Sequence, residues 1–189
     1  NDTVKAVKVD GAEATVDNVK AGAYKLSRPF NIATKGEPTG VAKDFISFIL
    51  SKEGQAVVTD NKYIAVNDAA ESFVSDGSSG QIAVGGSSSV SPVMEKLIEA
   101  YKSVNPNASI DLQTSDSTSG MTGAMDGTFA IGMASRELKD EEAAQLTGTA
   151  IALDGIAVIV NPANTIDELS MDQIKSIYVG DITDWGDLA

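Results

Sequence analysis

Histidine and cysteine are absent from all 189 residues, and arginine occurs only twice, as Arg28 and Arg136. Those absences exclude Cys and His nucleophiles, the Ser-His-Asp triad, imidazole general bases and thiolate metal sites. No metal site and no cofactor is expected. The lack of cysteine leaves the redox compartment open, because a chain without thiols suits the cytosol and the exterior alike. Long apolar runs are missing too: no stretch approaches the roughly 18 residues that suggest a membrane span. Positive charge is scarce, with 14 basic against 27 acidic residues and a net charge of −13. Nucleic acid is thereby excluded as a partner, since binding its backbone needs clustered Lys and Arg. The chain opens on Asn1 without a charged-then-apolar leader, and it reads as processed, lacking signal and anchor.

What remains is a composition with 42% hydrophobic residues, enough for one well-buried domain or, at a stretch, two small lobes, with a single unit as the default. Strand-like and helix-like stretches alternate along residues 81–189. QIAVGG (81–86) reads as a short strand, followed by a helix whose apolar stripe is Val90, Met94, Leu97, Tyr101 and Val104. ASIDLQT (108–114) alternates as a half-buried strand does, and SDSTSGMTGAMDG opens another helix. FAIGMAS (129–135) is a third strand, KDEEAAQL (139–146) a short acidic helix, and AIALDGIAVIVNP (150–162) one or two buried strands. A last helix over 170–180 has Ser170 as its N-cap and Gly180 as its C-cap. Such alternation predicts an α/β sheet.

Residues 1–66 differ in texture. They begin polar and turn-rich, pass through the extended KLSRPFNIAT, and give two consecutive helices before a short strand; Val41, Phe45, Phe48 and Ile49 form the apolar face of the first helix. NDAAESFVSDGSSG (67–80) is small, polar and glycine-containing, so it reads as a flexible connector and a candidate boundary.

In open α/β sheets ligands lie beyond the carboxyl ends of the strands, where helix starts present unsatisfied N–H groups. Here three predicted strand ends deliver hydroxyls: Ser87, Ser88 and Ser89; then Ser115, Ser117, Thr118 and Ser119; then Ser135. Serine and threonine are also the preferred helix caps, so each segment alone says little. Three at one edge could surround a tetrahedral oxyanion without a cluster of cations.

The segments QIAVGGSSSVSPVMEKLIEAY, TSDSTSGMTGAMDGTFAIGMASREL, ALDGIAVIVNP and VGDITDWGDL together resemble the first lobe of the phosphate-binding component of bacterial phosphate ABC transporters, Gram-positive type. YKLSRPFNIATKGEPTGVAKDFISFILSKEGQAVVTDNKYIAV resembles the closing segment of the same family, yet here it comes first. The resemblance implies a periplasmic-binding-protein-like (type II) single lobe, a mixed, mostly parallel sheet flanked by helices, in circularly permuted order. Residues 1–66 and 81–189 would form one domain through the 67–80 connector. Nothing resembles the second lobe's Ser-Gly-Thr-Arg segment.

The same resemblance implies inorganic phosphate as ligand, a second lobe and a membrane permease as partners, and an extracytoplasmic location in the periplasm or as a cell-surface lipoprotein. At matching positions it places phosphate on Ser88 and Ser89, on Ser117 with Thr118, Ser119 and Gly120, and at Ser135 with Arg136. Some members carry an aspartate where Ser135 stands, which leaves discrimination against sulfate open. With one lobe only, phosphate binding is expected to be weak or absent, and the exposed cleft face is a candidate homodimer surface.

Elsewhere the ordinary structural readings are preferred: a solvated end for Arg136, a tight turn for Asp154–Gly155, packing for Trp185, a solvated helix start for 139–142, and a structural role for Arg28 in the family's hinge-strand region. A scaffold engineered for folding studies and a Ser-Lys hydrolase using the 87–89 row are the competing classes. The second lacks any S-x-x-K or G-x-S-x-G motif, so no catalytic residue is assigned.

Overall fold

The computed structural model describes residues 3–188. In chain order its elements are β1 (Lys5–Ala6), β2 (Lys8–Val9), α1 (Val16–Lys20), β3 (Ser27–Thr34), α2 (Gly40–Leu50), α3 (Lys52–Asp60), β4 (Gly80–Ser87), α4 (Ser91–Val104), β5 (Ala108–Ser115), α5 (Ser117–Asp126), β6 (Ile131–Ala134), α6 (Asp140–Ala143), β7 (Thr147–Gly155), β8 (Ile159–Val160), β9 (Glu168–Leu169) and α7 (Met171–Val179), with a final 3₁₀ turn at Trp185–Leu188. They gather into two compact units, one of residues 28–154 and one of residues 3–27 with 155–188.

The larger unit is built on a five-stranded sheet in the order β5-β4-β6-β3-β7. β4 runs parallel to both β5 and β6, and β3 lies antiparallel to β6. The mixed, mostly parallel sheet predicted from the resemblance is therefore present. Its principal core joins Phe30 and Ile32 of β3, Val84 of β4, Ile131 and Met133 of β6, and the apolar faces of α2 and α4. Val41, Phe45, Phe48 and Ile49 of α2 are all buried, as the helical spacing requires. A smaller cluster of Ala33, Met121, Ala124, Ala134 and Leu146 places α5 against the sheet.

Residues 68–79 carry no helix or strand, in line with their composition, but they are fastened down. The Asp44 carboxylate accepts hydrogen bonds from the Ser75 hydroxyl (2.8 Å), the Asp76 amide (2.9 Å), the Tyr101 hydroxyl (2.7 Å) and Asn105 (3.1 Å). The Phe73 amide donates to Glu53 at 2.7 Å, and the Phe73 ring meets Phe48 edge-on at 5.3 Å. This stretch lies within the larger unit. The borders between units fall at Ser27/Arg28 and Asp154/Gly155. Asp154–Gly155 is thus the end of a strand instead of the predicted tight turn, because β7 continues through the apolar run into it.

Several other predicted bounds shift. The acidic helix shortens to the four residues of α6 and the short strand after α3 reduces to a single bridge between Ile64 and Leu153, while the 150–162 run gives two strands, β7 and β8, one of the two forms expected of it.

In the smaller unit β1 pairs antiparallel with β8, and β2 parallel with β9. α7 has a capping box: Ser170 Oγ accepts from the Gln173 amide at 3.1 Å, and Gln173 accepts from the Ser170 amide at 2.8 Å. Gly180 ends it at φ 85°, a conformation that favours glycine. Trp185 is half exposed and lines a shallow hollow with Ile177, Ile182 and Leu188.

Candidate functional site

Parallel pairing brings the ends of β4 and β5 level, with Ser87 opposite Ser115, while β6 ends beside them at Ala134. The carboxyl edge thus presents Ser87–Ser91, Ser115–Gly120 and Ser135 in one layer of the larger unit. Two glycines make this geometry attainable. A Cβ on Gly120 would lie 2.6 Å from the Met133 carbonyl and 2.7 Å from the Gly86 Cα, so only a bare backbone lets α5 press on the strands. Gly86 itself adopts φ 135° at the last turn of β4.

After β4 the chain folds tightly into α4. Ser87 is buried and its carbonyl accepts from the Val90 amide at 3.0 Å; the Ser91 hydroxyl meets Thr114 Oγ1 at 2.8 Å. The Ser88 amide is consumed by the Ser115 carbonyl at 2.9 Å. The hydroxyls of exposed Ser88 and half-buried Ser89, by contrast, have no hydrogen-bond partner among the described residues. No side chain caps α4, whose N-cap position is Val90 and which has proline in its first turn. Its start is therefore an open set of donors at the positive end of a 14-residue helix.

α5 starts differently. Asp116 is its N-cap, and one carboxylate oxygen accepts from the amides of Thr118 (2.8 Å) and Ser119 (3.0 Å) while the other accepts the Ser119 hydroxyl at 2.6 Å. The Ser119 hydroxyl and amide, then the Thr118 amide, hold the Asp116 carboxyl below the usual carboxylate range. Gly120 is buried, with its amide on the Asp116 carbonyl. Of the predicted α5 donors, Thr118, Ser119 and Gly120 thus have their amides engaged within the helix start. Ser117 instead points across the edge, its Oγ accepting the Ser135 amide at 3.1 Å. Sequence reasoning passed over Asp116, although an aspartate three residues before Ser119 is a recognisable cap signal.

Arg136 is not a solvated end. Its guanidinium meets both oxygens of Glu142 at 2.7 and 2.8 Å, its own neighbour's carbonyl at Glu137 (2.9 Å) and Thr118 Oγ1 (3.4 Å). The Glu142 side chain is only 3% exposed and so departs from the solvated helix start expected of 139–142, whereas Lys139, Asp140 and Glu141 are exposed as that reading has them. The Arg136 hydrogen bond, helped by the Lys139 amide, outweighs burial and holds Glu142 below its ordinary range. Arg28 also reaches this edge, with Nη1 3.4 Å from the Ser135 hydroxyl and Nε 3.0 Å from Asp154. These two partners are 107 and 126 residues away in sequence, and no local signal joins them.

Among the described residues no group of three or more acidic side chains could hold a metal, and no helix is long and apolar enough to cross a membrane. The edge can offer hydroxyls, free helix-start amides and arginine to an oxyanion.

Comparison with known proteins gives this edge a context. A family model described as a PBP superfamily domain matches residues 72–189. The phosphate-binding protein PstS 2 of Streptococcus agalactiae is 51% identical over 191 residues, covering 100% of this chain and 65% of that protein, so the chain spans less than two thirds of that relative. The crystal structure of a phosphate-binding protein of a phosphate ABC transporter from Streptococcus pneumoniae TIGR4 superposes with a TM-score of 0.92 at 46% identity, over 98% of this chain and 72% of that one. A putative phosphate ABC transporter substrate-binding protein from Clostridium perfringens, solved with bound phosphate, is 44% identical with a TM-score of 0.51, over 58% of this chain and 45% of its own. On these grounds the chain belongs to the PBP superfamily, among the phosphate-binding proteins of ABC transporters.

Proposed function

We propose that the carboxyl edge of the five-stranded sheet binds inorganic phosphate, and that the protein serves as the extracytoplasmic receptor of a phosphate ABC importer. The observation that carries this reading is the open start of α4, where the Ser88 and Ser89 hydroxyls stand without partners next to uncapped helix-start amides. A tetrahedral anion satisfies such donors and gains from the helix dipole. The hydroxyls of Ser117 and Ser135 complete the candidate contacts, whereas the Thr118 and Ser119 amides are already taken by Asp116. A second lobe and a membrane permease are the partners this role requires.

The permuted order is supported by the pattern of likeness. The streptococcal structure follows this chain over 98% of its residues, whereas the clostridial one follows 58%, and the family model begins only at residue 72. Residues 1–66 are accordingly read as the family's closing segment placed first, an order this chain shares with its streptococcal relatives. Natural relatives along nearly the whole chain favour a receptor over an engineered scaffold.

A calorimetric phosphate titration at moderate salt, with sulfate as control, tests the function. Saturable phosphate binding that Ser88→Ala weakens is the expected result. Affinity on this chain alone is expected to be low, because one edge supplies few donors and does not exclude water. No binding even at tens of millimolar phosphate, by chain shown to be folded by circular dichroism, would reject this edge as a phosphate site.

A further inference from the structure

The two arginines of the chain both reach this edge, and their hydrogen-bonding states are opposite. Arg136 directs all four Nη hydrogens at both Glu142 oxygens, the Glu137 carbonyl and Thr118, leaving no Nη edge for a two-pronged grip on a ligand. Arg28 is held from one side only. Its Nε meets Asp154 at 3.0 Å, its guanidinium lies 5.6 Å above the centre of the Phe30 ring, and Nη1 reaches Ser135 at 3.4 Å. The second Nη1 hydrogen and both on Nη2 have no partner among the described residues. A planar guanidinium anchored through Nε and stacked on a ring keeps its outer Nη edge in a defined place, the edge that grips oxyanions in a two-pronged fashion. Ser135 in turn donates its amide to Ser117, so that edge adjoins a hydrogen-bonded chain of two candidate phosphate residues.

We propose that Arg28 is the cation of the phosphate site, contacting the anion through Nη1 and Nη2, and that Asp154 is a positioning residue that fixes the orientation of the guanidinium. This assignment rests on the phosphate reading above. It explains how a chain of net charge −13 could attract an anion to an edge where the other arginine is already neutralised.

Because there are only two arginines, the arginine Nε–Hε region of a ¹⁵N–¹H correlation spectrum contains two signals, each assignable by an Arg→Lys variant. Inorganic phosphate titrated into the labelled chain is expected to shift the Arg28 signal saturably, together with the amides of Ser88 and Ser117, while Arg136 stays in place. Arg28→Lys keeps the charge and loses the fork, and should weaken binding about tenfold with the amide spectrum still that of a folded chain. Asp154→Asn should weaken it about threefold while the Arg28 signal still responds. If the Ser88 and Ser117 amides shift but Arg28 does not, or Arg28→Lys binds as tightly as the parent, Arg28 is not the cation although the phosphate site stands. If no signal moves at tens of millimolar phosphate, both readings fall.

Discussion

The starts of α4 and α5 occupy the same edge of the same sheet, follow parallel strands that end level at Ser87 and Ser115, and begin with similar rows of hydroxyls. One is open, with Val90 at its N-cap and no side chain on its amides; the other is closed by Asp116, which takes two amides and a hydroxyl. A helix start lowers its free energy either by a built-in carboxylate or by an external anion, and it cannot offer the same donors to both. The contrast teaches that a serine-rich helix start is a ligand site only to the extent that the protein leaves it uncapped. The two arginines repeat the lesson, since Arg136 is matched to a buried carboxylate and Arg28 keeps three of its five donors without a partner among the described residues.

Substitutions can break that comparison, and the largest effect is expected at the closed partner of the arginine pair. Arg136→Met should cost about 3 kcal/mol of stability, because it strands the buried Glu142 carboxylate. Urea denaturation measures this, and the phosphate affinity of the remaining folded chain should hardly change. Acid should act on the same pair. Glu142 is held below its ordinary range in the folded chain, so its contribution is complete above the unfolded value of about 4.3 and is lost as pH falls through the folded value. Asp44 behaves alike: burial pushes it up, but the hydrogen bonds from Asp76, Tyr101, Ser75 and Asn105 outweigh that and hold it low. Stability should therefore decline below about pH 4, and Glu142→Gln should flatten part of that decline in a pH series of denaturation midpoints.

At the open helix start, Ser88→Ala should weaken phosphate binding about tenfold in calorimetry and leave the denaturation midpoint where it was, since the hydroxyl has no partner in the folded chain. At the closed start the order reverses. Asp116→Ala should cost about 1 kcal/mol of stability through the lost cap. The smallest effect is reserved for Asp116→Asn, which keeps a capping oxygen and removes a negative charge from the edge. It should tighten phosphate binding about threefold at low salt and hardly at all at high salt. Weaker binding in Asp116→Asn would mean that the carboxylate serves the ligand instead of competing with it.

Much of this was legible in the sequence where the cause is local. Of the predicted stripe, Val90, Met94, Leu97 and Tyr101 turned inward as the spacing demands, while Val104, at the last residue of α4, is exposed; Ser170 and Gly180 cap α7 as their residue types suggest. The Ser-rich ends at 87–89, 117–119 and 135 do lie along one edge. Asp116 could also have been read, because an N-cap acts within three residues. Less legible was the 67–80 stretch. Its composition matches a free linker, yet Asp44 and Glu53 fasten it through bonds to Ser75, Asp76 and Phe73, and composition does not record partners 20 to 32 residues away.

By itself, then, the sequence determined the class of chemistry and the local elements: no imidazole or thiol, hydroxyls at helix starts, an alternating α/β pattern, and the family to which those motifs belong. Only the tertiary structure decided which donors remain available. Placing β3 between β6 and β7 is what carries Arg28 to Ser135 and Asp154, whereas α6 folds Glu142 back onto Arg136. The physical reason is that a hydrogen bond or ion pair is consumed by whichever partner lies within about 3 Å, and across gaps of more than a hundred residues that partner is chosen by strand order and packing.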